Sequence, residues 1–195
     1  MKLLTLAKAR TLALALCALL LSPAPASAAV ELTLYAREIG NEFPHGFVAL
    51  AGTPDRGGAR IESAYGFTAA SVTPAILFGS VRGVLETLDA AYVGTSEAQV
   101  RLALTDAEYD ALTALVARWQ ALEQPSYNLN RRNCIHFVAE VATLLGMRAE
   151  VPRNLTRRPR AYMELMIRTN RDWLARRGAQ ILREPGEAAA PGRRG

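Results

Sequence analysis

Cys134 and His45 are the two side chains whose type and setting in this sequence suit nucleophilic chemistry. Cys134 stands in the run Tyr127-Asn-Leu-Asn-Arg-Arg-Asn133-Cys134-Ile-His136-Phe-Val, where an irregular polar segment gives way to an apolar helical pattern. A thiol at a helix N-terminus feels the positive end of the helix dipole, and Arg131 and Arg132 act in the same sense. The setting therefore predicts a cysteine inclined to ionise. His45 opens the strand-like run His45-Gly-Phe-Val-Ala-Leu. A thiol and an imidazole are the minimum equipment for acyl transfer through a thioester. The structural alternative is a buried cysteine that only packs. The other histidine, His136, follows Cys134 by two residues, about 200° around a helix, so its ring is expected to point away from the sulfur.

The remaining cysteine, Cys17, lies in what reads as a secretory signal peptide over residues 1–28. Lys2, Lys8 and Arg10 form its basic start, residues 11–21 its apolar run, and Ala26-Ser27-Ala28 its small-residue cleavage site. The chain is thus expected to be secreted or periplasmic, with no stable membrane span after cleavage. Once the signal is removed, no intrachain disulfide is possible, and an unpaired thiol in an oxidising compartment calls for a reason. The rest divides into one domain over residues 29–184 and an Ala-, Gly-, Pro- and Arg-rich tail over 185–195 that is expected to be disordered.

Charge is uneven. Residues 29–147 carry 8 Arg against 13 acids, a net of −5, whereas residues 148–195 carry 12 Arg against 5 acids, a net of +7. The basic end lacks the interleaved aromatics of a nucleic-acid module, so no nucleic-acid partner is expected. One cysteine and two histidines give no recognised zinc spacing, and neither a metal nor a cofactor is expected.

The elements that must position Cys134 and His45 follow from periodicity. Residues 30–36 and 45–51 read as strands, 37–44 as a polar loop, and Gly52-Thr-Pro-Asp-Arg-Gly-Gly as turn chemistry. Residues 60–67 return as a third strand, making a hairpin. Residues 84–93 and 99–104 are further strand candidates. Thr105-Asp-Ala-Glu108 forms a capping box, with Leu112, Leu115, Val116, Trp119 and Leu122 at helical spacing behind it. A second helix starts at Asn133 or Cys134 and stops at Gly146, with Asn133 as its expected cap. A third runs over residues 160–176. The fold class is α+β, an antiparallel sheet packed against two or three helices, with a strand histidine preceding a helix-start cysteine.

These residues resemble the permuted branch of the NlpC-type papain-like superfamily, which includes lecithin retinol acyltransferase-like and desumoylating isopeptidase-like proteins. The resemblance rests on His45-Gly-Phe-Val, Tyr65-Gly66-Phe67 and Tyr127-Asn-Leu-x-x-x-Asn133-Cys134-x-x-Phe137-Val138, and it spans residues 30–146. It implies a permuted papain-like fold with Cys134 as nucleophile and His45 as base, and a third group to orient the imidazole. A hairpin turning near Asp55 and Arg56 would set residues 65–67 opposite His45, making Tyr65 a candidate for that group, with Glu62 roughly 13 Å away along the strand and Glu38 or Glu42 as the carboxylate alternatives. The expected function is a cysteine-dependent hydrolase, peptidase or acyltransferase acting on an amide, peptide or acyl ester. Cell-wall peptide and lipid acyl substrates both remain open. The non-enzymatic alternative is a degenerate domain of the same fold that binds a cell-envelope component.

Overall fold

The computed structural model describes residues 30–38 and 43–186. The expected signal peptide, Glu42 and all of the expected tail beyond Gly186 lie outside the described residues.

Six strands form one sheet: β1 (Glu31–Arg37), β2 (His45–Gly52), β3 (Ile61–Ala69), β4 (Gly83–Thr87), β5 (Glu97–Ala103) and the short β6 (Gln180–Ile181). Every pairing is antiparallel, in the order β4-β3-β2-β1-β5-β6. Strand alternation then sorts the side chains into two faces. Leu32, Leu34 and Ala36 of β1, Val48 and Leu50 of β2, Phe67 of β3, and Val100 and Leu102 of β5 all turn into one buried cluster. Three helices supply the other half of that cluster: α2 (Asp106–Gln120), α3 (Cys134–Leu144) and α4 (Pro159–Thr169). The aromatic contacts of Trp119 with Phe67 and Phe137, at 4.7 and 5.2 Å between ring centres, join β3, α2 and α3 at the middle of this core. The chain is α+β.

The helix starts follow from local chemistry. The Thr105 hydroxyl accepts from the Glu108 N–H while the Glu108 carboxylate accepts from the Thr105 N–H, so two otherwise unpaired amides are satisfied at the start of α2. Glu108 also receives Arg177 at 2.6 Å, and that guanidinium holds its carboxyl below the usual range. At α3 the cap is Asn133. Its Oδ1 accepts from the Ile135 N–H at 3.0 Å, and its amide group donates to the Leu129 and Thr156 carbonyls at 2.7 and 2.6 Å. Asn133 is buried, so it clamps the polar 127–133 segment, the helix and the 153–156 turn together. Asn133→Ala removes the cap and strands two buried carbonyls, and it should cost about 2–3 kcal/mol in urea denaturation.

Two elements differ from the sequence expectation. Residues 84–93 are not one strand. The strand ends at Thr87, and Asp89 caps a short helix α1 (Ala90–Gly94), its carboxylate accepting from the Tyr92 N–H at 2.7 Å. Residues 160–176 are not one helix either. Asn170 separates α4 from α5 (Arg171–Arg176): its backbone departs from helical geometry at φ −112° and ψ 16°, and its side chain bonds both backbone groups of Arg148, at 2.8 and 2.7 Å. The chain end is tied down further by Arg183 on Glu97 at 3.1 Å and Arg171 on Glu184 at 2.7 Å.

Candidate active site

Cys134 is the first residue of α3 and is buried against the core. Its sulfur is approached by the backbone N–H groups of Gly46, Ile135 and Cys134 itself. These amides favour the thiolate, yet burial outweighs them and pushes the thiol up to about 11. The expected low-pKa cysteine is therefore corrected: Arg131 and Arg132 are exposed, where solvent screens them, and desolvation decides the outcome.

His45 begins β2 and faces Arg37 across the β1 ladder. Its Nδ1 lies 3.0 Å from the Tyr92 hydroxyl. Nε2 is buried and has no well-formed hydrogen bond. Burial pushes the imidazole down to about 4. The nearby Phe67 carbonyl resists this and the Arg37 charge adds to it. The ring is therefore neutral across the physiological range.

An aromatic group fixes the ring in place. Phe47 stacks on Tyr35 at 4.9 Å and tilts against Tyr92 at 5.5 Å, while the Arg37 guanidinium sits 4.4 Å from the Tyr92 ring centre. Arg37 also donates to the Thr95 hydroxyl at 2.7 Å, which ties α1 to the sheet. Gly66 makes room for the imidazole. A Cβ there would lie 2.5 Å from the ring Cε1 and 2.8 Å from Nε2.

His45 and Cys134 meet β2 from its two sides. A Cβ on Gly46 would point at Met163, Pro159 and Val138, on α4 and α3, so the neighbouring His45 side chain leaves toward α1. The β2–β3 ladder runs only from Val48↔Tyr65 to Gly52↔Ile61. Ahead of Val48 the two strands are open, which lets the Gly46 N–H address the sulfur and the Phe67 carbonyl address the imidazole. The thiol and the imidazole thus lie on opposite faces of β2 with its backbone between them: the expected pairing of Cys134 with His45 is not formed, and no hydrogen bond joins them.

The expected orienting role of Tyr65 is corrected. Tyr65 pairs with Val48 and packs against the core on the helix side, so it is on the wrong face to reach the imidazole. Glu62 pairs with Ala51 at the far end of β2, and Glu38 lies 3.6 Å from Arg160. Tyr92 takes the position instead. Its signal in the sequence was Asp89 three residues earlier, the spacing of a helix cap. His136 stays with its own cap, Nδ1 lying 2.9 Å from Asn133 Oδ1. Tyr127 is buried near the thiol and forms part of the wall.

Cys134 lies on the wall of a cavity of about 150 Å³, lined by Phe43, Pro44, Ile76, Leu77, Tyr127 and Leu129, with Arg157 at its rim. A larger hollow of about 450 Å³ lies on the α1 side of the sheet, lined by Thr33, Tyr35, Ala49, Ala64 and Arg101, and includes neither Cys134 nor His45. Among the described residues no group of three or more His, Cys, Asp or Glu side chains is placed to hold a metal ion. No described helix is long and apolar enough to cross a membrane.

The depressed imidazole has a consequence for stability. Unfolding releases the ring to its ordinary value near 6.5, so the unfolded chain takes up a proton that the folded chain refuses. Stability from this source is fully present above pH 6.5 and is lost as pH falls toward 4. The loss should total about 3 kcal/mol, read from denaturation midpoints across that window. His45→Gln should lack this part of the slope.

Comparison with protein-family models, with curated proteins and with solved structures gives no match.

Proposed function

We propose that this chain is an exported cysteine-dependent acyl-transfer enzyme, a hydrolase or acyltransferase of the permuted papain-like kind. The observation that carries the reading is the Cys134 sulfur, which stands at the start of α3 on the wall of an apolar cavity with the N–H groups of Gly46, Ile135 and Cys134 turned toward it. Tyr92 engages the Nδ1 of His45.

The chemistry starts from a neutral pair rather than a thiolate–imidazolium pair. As the sulfur attacks a carbonyl carbon, Nε2 takes the thiol proton, a step that requires the start of β2 to turn the imidazole from the α1 face to the thiol's face when substrate binds. The carbonyl electrons move onto oxygen, and the backbone N–H of Cys134, which the Asn133 cap does not take, stabilises that oxyanion. Collapse breaks the bond to the leaving group, which departs with the proton from His45. Water or an acceptor then attacks the acyl-thioester and regenerates the thiol. The apolar wall suits an acyl donor with an apolar portion, and an amide, a cell-wall peptide and a lipid acyl ester all remain within this class.

The test is intact mass after exposure to a p-nitrophenyl acyl ester. An acyl increment on Cys134 that disappears in Cys134→Ala and decays by hydrolysis supports the reading. A chain that never acylates contradicts it. The second reading, a binding module for a cell-envelope component, is favoured by the thiol at about 11 and by the lack of a thiol–imidazole hydrogen bond. That reading predicts ligand retention by Cys134→Ala with no turnover by the unaltered chain.

A further inference from the structure

Four of the six large apolar side chains exposed on the described surface gather at one place. Phe43, Val72 and Leu77, at 66, 61 and 64% exposure, line the mouth of the Cys134 cavity, and Phe78, at 87%, follows Leu77 at the end of the 3-10 turn Pro74–Leu77. Scattered apolar residues need no explanation, but a cluster around one opening marks an interaction surface. The segments that supply much of the lining are basic, although Glu123, Glu140 and Glu150 stand at their ends. Residues 68–82, 124–139 and 151–158 together contain six arginines and no acidic residue. All six are exposed, and Arg157 stands on the cavity rim itself. The sequence places one acid, Glu42, beside Phe43.

We infer that this face docks on an anionic phospholipid surface, with the four apolar side chains entering the headgroup–acyl boundary and the arginines meeting the phosphates. Charge complementarity chooses this occupant. Apolar side chains projecting from a short turn and a loop, with Arg157 at the rim and Arg131 and Arg153 on the neighbouring hollow, match a negatively charged interface that is apolar just beneath. A nucleic acid would match the arginines and stack bases on Phe43 and Phe78, but it would leave the exposed aliphatic Val72 and Leu77 without a role. The consequence is directional: the Cys134 cavity opens toward the lipid. Docking goes beyond the acyl-transfer reading and does not depend on it, because it requires no thiol chemistry.

The experiment uses the Cys134→Ser chain without residues 1–28, so that binding is read apart from any reaction. Flotation with vesicles of phosphatidylcholine plus phosphatidylglycerol is compared with phosphatidylcholine alone, alongside sedimentation velocity without lipid. The expected result is binding to the anionic vesicles, loss of most of it at about 0.5 M salt, and a weakening of roughly tenfold in Phe78→Ser and in Leu77→Ser. Both positions are exposed, so the variants should melt where the parent does. Three results overturn the proposal: no vesicle binding, equal binding to both vesicle types, or self-association that the Phe78→Ser change abolishes while vesicles stay unbound.

Discussion

Gly66→Ala is expected to leave the chain folded and to lower acyl transfer by about 10²-fold, the effect of moving a reacting group by roughly an ångström. The added methyl would sit 2.5 Å from the His45 ring, and 3.3 Å from the Phe47 Cβ. The second contact is tight but tolerable, whereas the first is impossible without moving the imidazole. A displaced ring loses the Tyr92 hydroxyl and carries Nε2 away from the Gly46 segment. No backbone strain adds to the effect, because Gly66 is an ordinary strand residue and is not among the glycines with positive φ. The destabilisation should stay near 1–2 kcal/mol, since a side chain rather than the backbone gives way. Thermal melting and turnover of a p-nitrophenyl ester, measured on the same preparation, separate the two effects. Parallel losses would mean that the glycine serves packing alone.

The second large effect distinguishes the two histidines. His45→Ala should remove 10²–10⁴-fold of acyl transfer, the usual contribution of a positioned base, while His136→Ala should leave it within a few-fold. The difference is geometric. The His136 ring folds back on Asn133 and supports the start of α3, so its loss costs stability first. The His45 Nε2 makes no well-formed hydrogen bond, and Gly46, the next residue, meets the sulfur. Tyr92→Phe belongs between them: the ring stays packed by Phe47 but loses the hydrogen bond that orients it, and turnover should fall about tenfold with little change in melting. Loss of activity in His136→Ala with retention in His45→Ala would contradict this assignment.

Local chemistry in the sequence located much of the frame. The Thr105–Glu108 box and the Asn133 cap are short-range devices, and both stand at the helix starts that their residue types require. The hairpin is legible because Gly52-Thr-Pro-Asp-Arg-Gly-Gly stands between two strand-like runs, and Gly57 and Gly58 there adopt positive φ. Three features depend on tertiary contacts and were not visible. The side of Tyr65 turned on register: the ladder pairs it with Val48, and a slip of one residue exchanges the faces of a strand. Tyr92 was hidden in an apolar run that reads as a strand, although Asp89 ends that strand and caps α1. Dipole and arginine charges are legible in the sequence, while the burial that raises the Cys134 thiol is not. The break at Asn170 has the same origin, since its partner Arg148 lies 22 residues away.

The central claim is that His45 acts as a neutral base for a protonated Cys134, and the pH dependence of Cys134 acylation tests it most directly. The rate of acyl-thioester formation from a p-nitrophenyl ester would be followed by mass spectrometry from pH 3.5 to 10, in the unaltered chain and in His45→Ala. With the imidazole at about 4 and the thiol at about 11, the rate should rise through an inflection near 4 and then hold a plateau through neutrality. His45→Ala should lose the plateau and retain only a slow reaction that climbs with pH as thiolate forms. An unaltered chain whose rate climbs tenfold per pH unit toward 11, matching His45→Ala throughout, would mean that Cys134 is a buried thiol with no base, and the account would fail.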